Sequence, residues 1–195
     1  MNSQTMTKLK VCIGLVAAMW IVYGMEWLIP TLSDWGLVPR TSSGLTGIVS
    51  MHFLHASLGH LISNTVPLIV LVLLLVASRE DSLRLICVIA FASAALLWLV
   101  GRPAIHIGAS VLVYGLIAFL ITSGFVEKRW MDIVVSVIVL FLFGGSLLWG
   151  VIPTWTGKVS WEGHLCGAIA GTGLAFLNRR ESLREVTLTT HDKAF

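Results

Sequence analysis

Charge is scarce in this 195-residue chain: Asp, Glu, Lys and Arg together supply 12% of it, about half of what a soluble domain carries. Apolar residues fill 56% instead, and mean hydropathy reaches +0.90. A soluble fold of this size cannot hide that much apolar surface, so disorder, a collagen-like fibre and an ordinary soluble enzyme are excluded. Cysteine is limited to Cys12, Cys87 and Cys166, odd in number and scattered through apolar runs. They form neither a disulfide framework nor a CxxC metal site and read as small buried hydrophobes. A net charge of +3 is too small and too dispersed for nucleic-acid binding. No repeat and no low-complexity stretch is present.

What is there is a set of apolar runs, at 11–29, 58–77, 83–100, 110–125, 131–152 and 163–177. A bilayer core of about 30 Å needs roughly 20 apolar residues in a helix, because backbone groups left unsatisfied in lipid cost several kcal/mol each. The chain is therefore expected to be an all-α membrane protein, a bundle of six transmembrane helices. It divides into a short N-terminal segment (1–10), a membrane domain (11–178) and a polar C-terminal tail (179–195) that frays. With both termini cytoplasmic, only Arg40, Arg102 and Lys158 fall outside while every other Lys and Arg falls inside, as the positive-inside rule requires. Trp27, Trp35, Trp149, Trp155 and Trp161 mark the outer interface and Trp130 the inner one. Lys8 and Lys10 precede the first run, but that run is long enough to cross and lacks a small-residue cleavage pattern, so it reads as a retained helix. The outer loop at 30–51 is long and partly apolar, and is expected to lie partly in the interface.

Strongly polar residues inside membrane spans are functional candidates by default. They collect at the outer ends of runs two, four and six: His55 to Asn64, His106 to Ser110, and Gly163 to Gly167. Those three runs all point inward, so the clusters lie at similar depth. His60 and Asn64, four apart, share a helix face. A hydroxyl, imidazoles and an amide at one level point to nucleophilic chemistry. Ser110 begins a short span and is preceded by Gly108 and Ala109. Gly163, Gly167 and Gly171 form small-xxx-small steps that let a neighbouring backbone approach closely, which brings His164 toward Ser110. Tyr114, one turn below Ser110, is placed to pack on the imidazole. The Ser110 N–H at a helix start, with His60 and Asn64, suits an oxyanion hole.

The pattern His55-x4-His60-x3-Asn64, Gly108-Ala109-Ser110 ahead of a span, and His164 followed by Gly167 and Gly171 resembles the rhomboid family of intramembrane serine proteases. The resemblance covers all the spans, roughly residues 10 to 178. It implies a six-helix rhomboid-like bundle with a Ser110–His164 dyad, Ser110 as nucleophile and His164 as general base and then acid. It implies that His60 and Asn64 stabilise the oxyanion with the Ser110 N–H, and that His55 is mainly structural. The implied reaction is hydrolysis of peptide bonds in or beside transmembrane helices of membrane-protein substrates, without a cofactor; the compact size of the chain favours a bacterial cytoplasmic membrane as its expected place. One departure is Val111, where the family usually carries glycine after the serine; a β-branched side chain there is expected to narrow the oxyanion hole or alter substrate preference. The loop at 30–51 lacks the Trp-Arg pair of some relatives, and Pro39-Arg40 is expected to do a different job.

Two other classes of function compete with this reading. A non-catalytic rhomboid-like protein would bind transmembrane helices without cutting them. A metalloprotease or metal transporter would use the histidines, but there is no HExxH and His55 and His60 have poor ligand spacing, so no metal site is expected. Glu162 lies two residues before His164 and so points roughly 160° away from it on a helix, which removes it as a triad acid. His52 and His55 read as loop or packing histidines, and His106 as a cavity-lining residue rather than a base.

Overall fold

The computed structural model describes residues 3–153 and 160–191, with side chains described for 5–153 and 160–179. Its helices are α1 (Ser3–Leu28), α2 (Gly47–Ser50), α3 (Leu58–Ser78), α4 (Ser82–Val100), α5 (Ser110–Glu127), α6 (Trp130–Gly150) and α7 (Trp161–His191), with tight 3-10 turns at Pro30–Trp35 and Ser43–Leu45. Among the described residues the only β pairing is an isolated antiparallel bridge between Leu37 and His106. All-helical architecture follows from composition: a helix satisfies its own backbone, which lipid cannot do.

Five helices, α1, α3, α4, α5 and α6, are long and apolar enough to cross a membrane. The sixth long helix, α7, falls outside that set because Glu162, Gly163, His164 and Gly167 dilute its first turns. Its place is decided by packing instead. A side chain at Gly163 would meet Val111, one at Gly167 the Val111 carbonyl, and one at Gly171 the Gly115 carbonyl. The steps climb both helices together, so α5 and α7 run parallel, backbone against backbone. Beyond the apolar stretch the backbone of α7 stays helical through His191, where the sequence suggests a frayed tail from 181.

The central helix is α5, with 67% of its apolar window buried against 6% for α1. Ser136 Oγ donates to the Ile121 carbonyl at 2.9 Å, joining α6 to it. Trp20 Nε1 donates to Thr65 Oγ1 at 3.2 Å and clips α1 to α3. At the end of the bundle opposite the starts of α3, α5 and α7, Arg79 meets Glu127 at 2.8 Å and Asp132 at 3.2 Å, and Arg129 meets Asp132 at 2.7 Å. Arg79 and Asp132 are buried, so this clasp ties the ends of α3, α5 and α6 inside protein.

The loop at 30–51 folds onto the bundle. Leu37 is buried, whereas Trp35, Leu45 and Val49 are exposed, as an interfacial loop requires. Pro39-Arg40 caps a helix: Arg40 donates its backbone N–H to the Trp98 carbonyl at 3.0 Å and its guanidinium to the carbonyls of Leu99 at 3.1 Å and Gly101 at 2.8 Å. These carbonyls end α4 and have no partner within it. Trp27, Trp35, Trp130 and Trp149 are all exposed. Of the cysteines Cys166 is buried and Cys12 half-buried, but Cys87 is exposed on α4, so the expectation of three buried thiols fails there: a lipid-facing position is apolar without being interior.

Candidate active site

The site grows from the starts of α3, α5 and α7. At α3, Ser57 caps the helix by accepting the His60 N–H at 3.1 Å. One turn on, Asn64 Nδ2 donates to the His60 carbonyl at 2.8 Å. An amide nitrogen carries two protons, so this bond leaves a second N–H for an acceptor in the site. Asn64 is buried and His60 partly so.

At α5, the lead-in turn is shaped by Gly108, whose φ of +113° belongs to the left-handed half of the map. A side chain there would also strike the His60 ring, 2.6 Å from its Nε2, and would approach Asn64 Nδ2 at 3.7 Å. The turn before Ser110 therefore rests against the His60–Asn64 face. Its backbone is tied to the outer loop by Gly108 N–H donating to the Met51 carbonyl at 2.7 Å. Ser110, the first residue of α5, is partly accessible.

At α7, His164 is held from two sides. Its Nδ1 lies 2.9 Å from the Gly150 carbonyl at the end of α6. A carbonyl only accepts, so Nδ1 carries the proton and Nε2 keeps a lone pair. The ring stacks on Tyr114 of α5, with 3.9 Å between centroids and 3° between planes. Tyr114 is itself fixed by its hydroxyl donating to the Ser146 carbonyl at 2.8 Å. Ser110 lies four residues before Tyr114, on the same face and about 6 Å along the axis. Among the described residues Ser110 and His164 share no direct hydrogen bond; apo catalytic hydrogen bonds are often long and tighten only with substrate.

The remaining sequence candidates sit nearby in other roles. His55 lies edge-on to His60, ring centroids 5.1 Å apart. Its Nδ1 donates to the Phe53 carbonyl at 3.1 Å and its backbone N–H donates to Glu26 at 3.2 Å. His52 is buried beside the Ala90 backbone. Burial pushes both imidazoles down to about 4, so neither is a proton carrier near neutrality. Glu162 turns away from His164 and pairs with Arg102 at 3.4 Å. Val111 does not face the His60–Asn64 side. It is buried with Leu37, Leu97 and Cys166, its methyl against Gly163, so the narrowing expected from its β-branch is not what the packing shows. The sequence also offers the fifth apolar run and the loop at 153–160, with Gly157, as candidates for a gate that admits substrate; residues 154–159 of that loop lie outside the described residues.

Among the described residues no group of three or more His, Cys, Asp or Glu is arranged to hold a metal ion. Sequence reasoning underrated His106, whose ring lies 2.7 Å from Ser160 Oγ; only the pairing of the outer loop with the turn before α5 reveals it.

Comparison with known proteins gives one family. The Rhomboid domain profile matches residues 42–181. The chain is 41% identical over 152 residues to an uncharacterized protein of Mycobacterium tuberculosis (strain ATCC 25618 / H37Rv), covering 73% of this chain and 62% of the relative. It is 40% identical over 142 residues to an uncharacterized protein of Mycobacterium leprae (strain TN), covering 68% and 56% respectively. The chain thus spans under two thirds of the length of these curated relatives.

Proposed function

The chain belongs to the rhomboid family, and from that membership we propose that it is an intramembrane serine endopeptidase working through Ser110 and His164. Members of this family are generally intramembrane serine proteases. The observation that carries the reading is the fixed tautomer of His164: with Nδ1–H spent on the Gly150 carbonyl, Nε2 is the ring's base, on a helix packed against the one Ser110 begins.

In this reading His164 Nε2 takes the Ser110 hydroxyl proton as Oγ attacks the scissile carbonyl, then returns it to the leaving amine. The Ser110 N–H, at the start of α5 where backbone donors have no partner within the helix, donates to the developing oxyanion together with Asn64 Nδ2 and His60. Water enters from the polar end of the bundle and hydrolyses the acyl-enzyme. A dyad without a carboxylate partner is a weaker base system than a triad, so slow turnover is expected. The substrate is a transmembrane helix that unwinds locally, because an intact helix hides its carbonyls. The protein is a multi-pass membrane protein, proposed to reside in the cytoplasmic membrane with both termini inside.

The test is cleavage of a panel of reporter transmembrane helices by wild type and Ser110→Ala side by side, with fluorophosphonate labelling. Wild type is expected to cut and to be labelled, and Ser110→Ala to insert normally and do neither. Equal cleavage by the variant removes the assignment. Helix binding with neither cleavage nor labelling in wild type establishes the non-catalytic alternative.

A further inference from the structure

His106, outside the proposed dyad, is held at four points. Its backbone forms both bonds of the bridge with Leu37, at 2.9 and 2.8 Å. Its Nε2 lies 3.1 Å from the Arg102 carbonyl and its Nδ1 lies 2.7 Å from Ser160 Oγ. The directions follow from chemistry. A carbonyl only accepts, so Nε2 donates; in the neutral ring Nδ1 then accepts, and the Ser160 hydroxyl donates to it. Ser160 Oγ has a lone pair left and accepts the Gly163 N–H at 3.2 Å, while the Ser160 carbonyl accepts the His164 N–H at 3.1 Å. That is an N-cap on α7, and its hydroxyl is oriented by His106.

We propose that His106 is a positioning residue for His164: by gripping Ser160 it fixes the start of α7, and with it the station of the imidazole over α5. The proposal rests on the serine-protease reading. One imidazole joins the outer loop, the α4–α5 connection and the cap of α7. The charged groups facing it are Arg102 and Glu162, paired with each other at 3.4 Å in a second tie between the same two segments. In the neutral ring the Ser160 hydroxyl hydrogen is aimed at Nδ1; protonation would reverse that bond, with Ser160 Oγ then accepting from both His106 and Gly163. Burial, the largest influence on it, holds the His106 imidazole below its ordinary value.

The experiment uses the full chain in proteoliposomes with a cleavable reporter helix, and compares His106→Phe, His106→Asn, Ser160→Ala and the double variant His106→Phe/Ser160→Ala. Phenylalanine keeps the bulk without the hydrogen bonds; asparagine places Oδ1 near the Nδ1 position to accept from Ser160. His106→Phe is expected to lower kcat about tenfold with KM within about twofold, since a slight misplacement of a catalytic group is costly. It is also expected to speed amide hydrogen exchange across residues 161–166. His106→Asn should recover most of both, and the double variant should be no worse than either single one, because the two residues act as a unit. Unchanged exchange in His106→Phe, equal behaviour of the Phe and Asn variants, or losses that multiply in the double variant would each overturn the proposal. If wild type cuts no reporter, the protease reading falls, while the exchange series still decides whether His106 holds the start of α7.

Discussion

The phenol ring of Tyr114 lies flat on the imidazole of His164, 3° from parallel, while the Tyr114 hydroxyl is anchored to the Ser146 carbonyl on a third helix. The stack locks the ring plane and the Gly150 carbonyl locks its rotation, so the imidazole enters any reaction already oriented. Tyr114→Phe is expected to retain the stack and lose only the anchor, lowering kcat about threefold. Tyr114→Ala removes both and is expected to lower it by about tenfold to a hundredfold, the range for a misplaced catalytic group. Steady-state cleavage of a reporter helix checks the order of the two variants.

Val111 tests whether a family departure is a defect. Its side chain is buried between α4, α7 and the outer loop, away from His60 and Asn64. Val111→Gly is therefore expected to leave KM unchanged and to cost about 2–4 kcal/mol of stability, from the lost burial and from glycine inside a helix. Thermal unfolding in detergent and the cleavage rate measure the two parts separately; a large rise in kcat would show that the valine does restrict the site.

The α5–α7 crossing predicts a sharp threshold at Gly171. A Cβ there meets the Gly115 carbonyl and lies 3.0 Å from the Phe119 nitrogen, backbone atoms that cannot swing aside. Gly171→Val is expected to lower thermal stability severely, whereas Gly173→Ala, with open space around it, should be neutral or slightly stabilising. Melting temperatures of the pair decide it.

At the other end of the bundle, Arg79 is buried against Glu127 and Asp132. Removing one member of a buried ion pair leaves an uncompensated charge, typically costing about 3–5 kcal/mol. Asp132→Ala should therefore destabilise the protein by about that amount, with the helix exchange protection of α3, α5 and α6 lost at their shared end. Exposed Arg129→Ala should cost much less.

Acid sensitivity follows from the outer-loop histidines. Burial holds His52 and His55 at about 4, below the ordinary 6.5. The unfolded chain binds their protons first, so this contribution to stability is intact above pH 6.5. It falls as pH drops from 6.5 toward 4, and levels off below that. The loss is expected to reach a few kcal/mol. Unfolding measured from pH 7.5 to 4.5 checks the slope, and His52→Leu should flatten it.

Much of the architecture was legible in the chain because lipid imposes a coarse and severe rule. Runs such as 58–77 and 83–100 became α3 and α4 with ends shifted by a residue or so. The sixth run was harder to delimit: glycines and polar groups at its start weaken its apolar signal, and its helix runs past the expected end to His191. Spacing alone paired His60 with Asn64 and aligned the glycines of α7, because helical periodicity turns sequence intervals into faces. Spacing cannot report which way a buried side chain points across an interface. Val111 was expected at the oxyanion hole and packs elsewhere, and Arg40, a loop charge with no motif, caps the carbonyls that end α4.

By its sequence alone the chain determined that it crosses a membrane as a helical bundle, and which polar groups crowd one end of it. Both are consequences of local composition and helical period, which need no knowledge of neighbours. Only the tertiary structure decided how those groups address one another: His164 turned by the Gly150 carbonyl and pressed on Tyr114, His106 gripping Ser160, Gly108 making room for His60. Such relations join residues far apart in the chain, and their geometry is set by how closely backbones approach, a property of the packed whole rather than of any segment.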